Sequence, residues 1–88
     1  MFSKEIFGKR LSLLRTGKNV SQQALADHLG LGRTAVSMME SGQRGASLEI
    51  ACALADYFNV SLDYLCGRSD DPAFSPAAGR RPDGRKGT

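Results

Sequence analysis

The chain has 88 residues, 41% of them hydrophobic and 24% charged, with a formal net charge of +3, so it has the composition of one small globular domain. Two cysteines are too few for a disulfide scaffold, one histidine argues against a zinc site, and the chain lacks an apolar run typical of a membrane span or a signal peptide. We therefore expect a cytoplasmic protein with no cofactor, no bound metal and no membrane partner.

The charge is unevenly distributed along the chain. Residues 1–44 carry a net charge of +4, residues 45–67 carry −3, and residues 68–88 carry +2. A basic half fits a polyanionic partner. Scattered charges that only maintain solubility would give a similar pattern, so both interpretations stay open at this point.

The first two helices are predicted from their spacing and their ends. In residues 3–16, apolar side chains recur at helical spacing behind a candidate N-cap, Ser3, and the chain breaks at Gly17. Ser21 can cap a second helix, QQALADHL, in which Leu25 and an apolar residue four positions later face inward. Gly30 ends it, because glycine readily adopts the left-handed conformation that follows many helices.

Only two residues separate the second helix from the third, which is predicted over residues 33–41 and stops at Gly42. So short a connection forces the two helix axes apart at a large angle. Ser47 can cap a fourth helix, whose buried stripe is predicted to comprise Leu48, Ala51, Leu54, Ala55 and Phe58.

A short fifth helix, SLDYLC, follows behind Ser61 and ends at Gly67. Cys52 and Cys66 lie in apolar helical patterns and are predicted to be buried free thiols. No segment alternates with the period of a strand, so the fold class is all-α with five short helices. From Ser69 onward Asp, Pro, Gly and Arg dominate, which predicts a folded domain over 1–68 and a disordered tail over 69–88.

The third helix has two dissimilar faces. Val36 and Met39 point to one side, toward the second helix. The other side presents, within about 140° of arc, small polar groups, an arginine and a methionine: Arg33, Thr34, Ser37, Met38 and Ser41. Arginine can bind guanine with two hydrogen bonds, hydroxyls can donate or accept, and methyl groups can contact the thymine methyl. An ordinary solvated surface helix is the alternative.

Residues 21–44, SQQALADHLGLGRTAVSMMESGQR, resemble the helix-turn-helix of the phage Cro and repressor class, the XRE-type DNA-binding domains. The residues that carry the resemblance are Gln22, Ala26, Gly30, Val36 and Met39. It extends over about residues 5–72 and implies a compact five-helix, lambda-repressor-like domain with the helix-turn-helix at helices two and three.

The resemblance also implies roles for individual residues. Base contacts are expected from Arg33, Thr34, Ser37 and Met38, and DNA backbone contacts from Ser21, Gln22, Ser41, Gln43 and Arg44. Arg15 and Glu40 match a family pair that forms a buried salt bridge, although two solvated charges remain the alternative. Leu62 and Tyr64 match the dimer interface, although simple exposure or a place in the core would also fit them.

Two departures from the family pattern bear on the site. Gly32 stands where a Ser or Thr cap is usual, which costs only a few tenths of a kcal/mol. Gly45-Ala46 replaces a common Asn-Pro, which predicts a more mobile loop.

The functional hypothesis is a sequence-specific regulator of transcription, a repressor, that binds double-stranded DNA at a palindromic operator as a homodimer. The alternative is a protein-interaction module, such as an antitoxin or a bridging factor, whose C-terminal tail contacts a protein partner. Two other interpretations of that tail stay open: that it adds non-specific phosphate contacts, or that it is passive. An enzyme is not expected, because the sequence lacks a nucleophile–base pattern, and LGLG does not follow a strand as a phosphate-binding loop would.

Overall fold

The computed structural model describes residues 2–73 and contains five α-helices. Their bounds are α1 Lys4–Gly17, α2 Gln22–Leu29, α3 Arg33–Glu40, α4 Leu48–Phe58 and α5 Leu62–Cys66. The described part of the chain contains no strand. The predicted all-α class and the five-helix, lambda-repressor-like architecture are confirmed, and each predicted helix lies within a residue or two of its expected place.

Four helices begin at a serine cap, as predicted. The hydroxyls of Ser3, Ser21, Ser47 and Ser61 accept hydrogen bonds from backbone amides three residues later, at 2.9–3.2 Å. These bonds satisfy amides that have no partner within their own helix. Gly32 precedes α3 and supplies no such bond. Helix α3, the helix with two dissimilar faces, is therefore the one of the five described helices without a side-chain cap.

The core lies where all five helices meet. Its buried members are Phe7, Leu11, Leu25, Ala26, Val36, Met39, Leu54, Ala55, Phe58, Val60 and Leu65. No helix within residues 2–73 combines the length and the apolar character needed to cross a bilayer.

Three predicted core positions on α4 and α5 are wrong. Leu48, the first residue of α4, is 72% exposed, since it lies about 70° from the centre of the stripe that the helix buries. Cys52 is exposed, since it lies about 110° from the centre of the buried stripe formed by Ala51, Leu54, Ala55 and Phe58. Cys66 is half-buried at the end of α5. Helix α4 carries apolar residues outside its buried face as well as on it. Apolar composition alone therefore predicts more buried residues than the structure contains.

Helices α1 and α3 approach closely at Gly8, which is buried. A Cβ at this position would lie 2.7 Å from the backbone oxygen of Glu40, which is closer than van der Waals contact allows. Any larger residue would push α3 away from α1. Gly8 therefore sets the distance between the first helix and the end of the third.

The structure describes five residues past 68, the predicted end of the folded domain, and several of them contact the helices. The carbonyl oxygen of Pro72 accepts a hydrogen bond from the Ser61 amide at 2.8 Å. Arg10 donates to the carbonyl oxygen of Ser69 at 2.6 Å and to the carboxylate of Asp70 at 2.9 Å. The polar composition predicts disorder from residue 69, whereas residues 69–72 bond to Arg10 on α1 and to Ser61 before α5. The rest of the predicted tail, residues 74–88, and the partner proposed for it lie outside the described residues.

Candidate nucleic-acid interface

Helix α3 is divided into a buried side and an accessible side. Val36 and Met39 are fully buried in the core. Arg33 and Thr34 are exposed at the first turn. The two other residues expected to contact bases, Ser37 and Met38, are half-buried. The four predicted base-contacting positions therefore all keep accessible surface, with the first turn protruding furthest.

The connection between α2 and α3 fixes how this surface is presented. Gly30 adopts the left-handed conformation with φ of 71°, and the Leu31 amide donates to the carbonyl oxygen of Ala26 at 2.8 Å. Gly32 is then extended, and α3 begins at Arg33 without a side-chain cap. The Ala35 amide donates to the carbonyl oxygen of Gly32 at 3.1 Å. The Arg33 and Thr34 amides, which precede it, are therefore the first-turn donors left for an external acceptor, such as a phosphate oxygen.

An ion pair joins α1 to the C-terminal end of α3. The Arg15 guanidinium donates from Nε to Oε2 of Glu40 at 2.5 Å and from Nη2 to Oε1 at 3.1 Å. The side chains are 15% and 8% exposed. Hydrogen bonding to Glu40 raises the pKa of Arg15 above its ordinary value, against the opposing effect of burial. Arg15 is therefore held charged, and its third bond goes to the carbonyl oxygen of Val20 at 2.8 Å.

Gln22, the first residue of α2, forms a hydrogen bond with the same Glu40 carboxylate. Nε2 of Gln22 donates to Oε1 of Glu40 at 3.0 Å. The sequence predicted Gln22 as a DNA backbone contact. In the structure its amide group also links the start of α2 to the end of α3. One N–H and the carbonyl oxygen of the side chain remain for another ligand.

The loop after α3 folds back onto the helix end. Both the Gln43 and Arg44 amides donate to the carbonyl oxygen of Met38, at 2.9 and 3.4 Å. The Ser41 hydroxyl donates to the same oxygen at 3.1 Å and accepts from Nε2 of Gln43 at 2.9 Å. Ser41 therefore uses its one side-chain donor inside the loop, and donation from its hydroxyl to a phosphate would require breaking that bond.

The other predicted backbone contacts keep a free donor in this conformation. The Ser21 hydroxyl accepts from the Ala24 amide and retains its own hydrogen. Gln43 retains a second side-chain N–H. Arg44 is exposed and, like Arg33, forms no ion pair with any residue between 2 and 73. Arg33 at the start of α3 and Arg44 in the loop after it thus offer positive charge that no carboxylate within residues 2–73 pairs.

Helix α5 carries the two residues predicted for a dimer interface, and both Leu62 and Tyr64 are half-buried. The Arg10 guanidinium carbon lies 4.2 Å from the centre of the Tyr64 ring, within the range of a cation–π interaction. The same guanidinium donates to the carbonyl oxygen of Tyr64 at 2.5 Å. Arg10 therefore fixes the Tyr64 ring and covers part of it, and both Leu62 and Tyr64 keep some accessible surface.

Sequence reasoning missed Gly8 and Arg10. Gly8 lies inside a predicted helix, where glycine is unfavourable by about 1 kcal/mol. A glycine that is kept at this cost indicates a position where another backbone, here that of α3, approaches the helix closely. Arg10 carried no such signal, because its partners are 54 to 60 residues away in the chain. Within residues 2–73, no three histidine, cysteine or carboxylate side chains gather in a way that could hold a metal ion.

The family model described as Helix-turn-helix matches residues 11–65, which contain α2, α3 and α4 complete. The chain belongs to this helix-turn-helix family, of the XRE type. It is 42% identical over 69 residues to the HTH-type transcriptional regulator AnsR of Bacillus subtilis, with 78% of this chain and 60% of AnsR aligned. The chain therefore spans less than two thirds of AnsR, and it spans 29% of another curated relative.

Two solved structures share the fold. The restriction-modification controller protein C.AhdI from Aeromonas hydrophila superimposes with a TM-score of 0.64 at 40% identity, covering 70% of this chain and 94% of that chain. The P22 c2 repressor protein, solved in complex with a synthetic operator, superimposes with a TM-score of 0.68 at 26% identity. It covers 73% of this chain and 97% of that chain.

Proposed function

We propose that this protein is a sequence-specific regulator of transcription that binds double-stranded DNA with α3 in the major groove. The observation that carries the proposal is the division of α3. Val36 and Met39 fix the helix to the core, while Arg33 and Thr34 protrude from an uncapped first turn. A helix that is held from one side and polar on the other suits insertion into a groove. The similarity to regulators and to an operator-bound repressor supports the same function.

Base and phosphate contacts have separate roles in this proposal. Arg33, Thr34, Ser37 and Met38 contact base edges and supply sequence preference. Ser21, Gln22, Gln43 and Arg44 contact phosphates and supply affinity that depends on salt, while Ser41 holds the loop that carries two of them. No chemical step is involved, so the protein acts as a binding protein without a cofactor and not as an enzyme. It would work in the cytoplasm, where bacterial DNA is located.

The protein would act as a homodimer on a palindromic site and repress transcription by occupying it. Two α3 helices related by a two-fold axis would be about 34 Å apart, so that they enter successive major grooves on one side of the duplex. Leu62 and Tyr64 on α5 are half-buried apolar residues, which suits a second copy packing against this helix. Repression requires only that the bound dimer exclude polymerase.

Selection of bound sequences from random DNA tests this function directly. We expect enrichment of an inverted repeat at moderate salt, with half-sites about one helical turn apart. Sedimentation of the protein with the selected duplex should give two chains per duplex. Recovery of no enriched motif would contradict sequence-specific binding, and enrichment of a single half-site bound by one chain would contradict the dimer.

A further inference from the structure

The N-terminal turn of α1 lies against the loop that follows α3. A Cβ placed on Gly45 would be 3.1 Å from Cε2 of Phe2 and 3.8 Å from Cγ of Lys4. A Cβ on Gly42 would be 3.5 Å from the Cα of Glu5. Residues from the very start of the chain therefore pack along both ends of the segment that contains Gln43 and Arg44.

The ring of Phe2 restrains the loop that contains Gly45. Its ring packs on the backbone of Gly45 from one side and lies 5.6 Å from the ring of Phe7, a buried core residue, on the other. The Gly45-Ala46 sequence predicted a more mobile loop. Its close packing against Phe2 connects the loop to the core and constrains the position of Arg44.

Lys4 places a positive charge beside the loop that contains Arg44 and Gly45. Its side-chain stem runs beside Gly45, the residue after Arg44, and Lys4 is exposed and forms no ion pair with another residue in 2–73. The flexible stem can carry the ammonium group beyond the loop backbone. The neighbouring Glu5 adds an opposing charge, and its carboxylate accepts a hydrogen bond from the Ser3 hydroxyl at 3.3 Å.

We infer that the N-terminal turn of α1 is part of the DNA-binding surface, with Lys4 contacting a backbone phosphate next to the one bound by Arg44 and Phe2 positioning the loop between them. The inference rests on the proposed function and adds a contact outside the helix-turn-helix. Since phosphates carry no sequence information, Lys4 contributes affinity and not sequence preference.

The salt dependence of binding to a mixed-sequence duplex of about 30 base pairs tests the Lys4 contact. Each lost phosphate contact lowers the slope of log affinity against log salt by about 0.9. Lys4→Gln is therefore expected to reduce the slope by this amount. Consequently, the affinity ratio of wild type to Lys4→Gln should shrink about 3.5-fold between about 50 and about 200 mM salt.

Lys9→Gln is the matched control. It removes the same charge from the same helix, at a position about 140° around the helix axis from Lys4. The wild-type slope should be retained by Lys9→Gln. Equal slopes for Lys4→Gln and wild type would overturn the inference while leaving the proposed function intact. A wild-type protein whose binding does not weaken with salt would instead contradict the proposed function itself.

A double-mutant cycle tests the positioning role of Phe2. If Phe2 positions the loop, Arg44→Gln should reduce affinity less in a Phe2→Ala protein than in wild type, and Phe2→Leu should restore most of the effect. Phe2 is 43% exposed, so the fold should survive truncation, which circular dichroism can verify. An unchanged effect of Arg44→Gln in the Phe2→Ala protein would exclude positioning by Phe2.

Discussion

The Arg15 guanidinium binds both carboxylate oxygens of Glu40 and thereby ties the first helix to the end of the third. Both side chains are largely buried, so neither charge can be removed without stranding the other. Gln22 bonds to the same carboxylate, and the ion pair consequently holds α1, α2 and α3 together.

Glu40→Gln is expected to lower the free energy of unfolding by about 3 kcal/mol, because it leaves the Arg15 charge buried without a counter-charge. Urea unfolding measures this. The double variant Arg15→Met with Glu40→Leu should lose less than Glu40→Gln, since no buried charge remains. A loss below about 1 kcal/mol for Glu40→Gln would indicate that the pair behaves as a surface pair.

Gly8→Ala is expected to destabilise the protein by about 2 kcal/mol, because the added methyl group would meet the backbone of α3. Gly17→Ala is the control in the same helix, where a Cβ would meet nothing within 4 Å. That change should be neutral or stabilising by about 0.5 kcal/mol, as alanine favours the helix more than glycine. Thermal unfolding of the two variants side by side checks the contrast, and equal effects would be inconsistent with a tight helix crossing.

Removing the Arg10 guanidinium should release the segment that follows α5. Arg10→Met keeps the apolar stem but leaves the carbonyl oxygens of Tyr64 and Ser69 without their donor, at a cost of about 1–3 kcal/mol. Exchange of the Ser61 amide hydrogen, which is bonded to Pro72, should accelerate in this variant.

Arg68→Gln provides the comparison for Arg10→Met. The Arg68–Asp63 pair is separated by 3.9 Å and both side chains are more than 60% exposed, so its loss should cost under about 0.5 kcal/mol. Slow, unchanged exchange at Ser61 in Arg10→Met would mean that the segment is held without Arg10.

Arg33→Ala should distinguish base contacts from phosphate contacts. We expect it to weaken binding to the selected operator by about 1–3 kcal/mol and to leave binding to a mixed-sequence duplex nearly unchanged. Arg44→Ala should weaken both to a similar extent, since its contact is independent of sequence. Titrations at one fixed salt concentration give the ratio of wild-type to variant affinity on each of the two duplexes. An equal loss on both duplexes for Arg33→Ala would reassign this residue to the phosphate backbone.

The two thiols should differ in reactivity. Cys52 is exposed and should react first with a maleimide reagent, as followed by mass spectrometry. Burial, with the charge of Asp63 second, raises the pKa of Cys66, so its labelling should accelerate only at higher pH than that of an unfolded cysteine. Because the fold favours the protonated thiol, Cys66 contributes stability that is complete below about pH 8.5 and is lost as the pH rises through the raised value. Faster labelling of Cys66 would contradict its burial.

Local signals in the sequence predicted the helices well. Four serine caps and the left-handed Gly30 act within a few residues of their position, so spacing alone located them. The division of α3 into two faces also follows from a local period, and the structure buries Val36 and Met39 as that period requires.

Features that depend on distant partners could not be predicted in this way. The sequence gives no sign that Arg10 reaches Asp70, or that Phe2 packs on Gly45, because these contacts exist only after the chain has folded. Leu48 shows the reverse problem. Its helical spacing places it at the edge of the buried stripe, but that edge is left uncovered at the first turn of α4.

Helix α3 has only eight residues, which is too short to be a stable helix in water by itself. Its conformation depends on the burial of Val36 and Met39 and on the anchoring of Glu40 by Arg15. A synthetic peptide of residues 29–44 should therefore be a random coil with no preference among DNA sequences. In the intact protein, bound DNA would raise the melting temperature of the protein. The reason is that DNA binds the folded chain, in which α3 is formed, and not the unfolded chain.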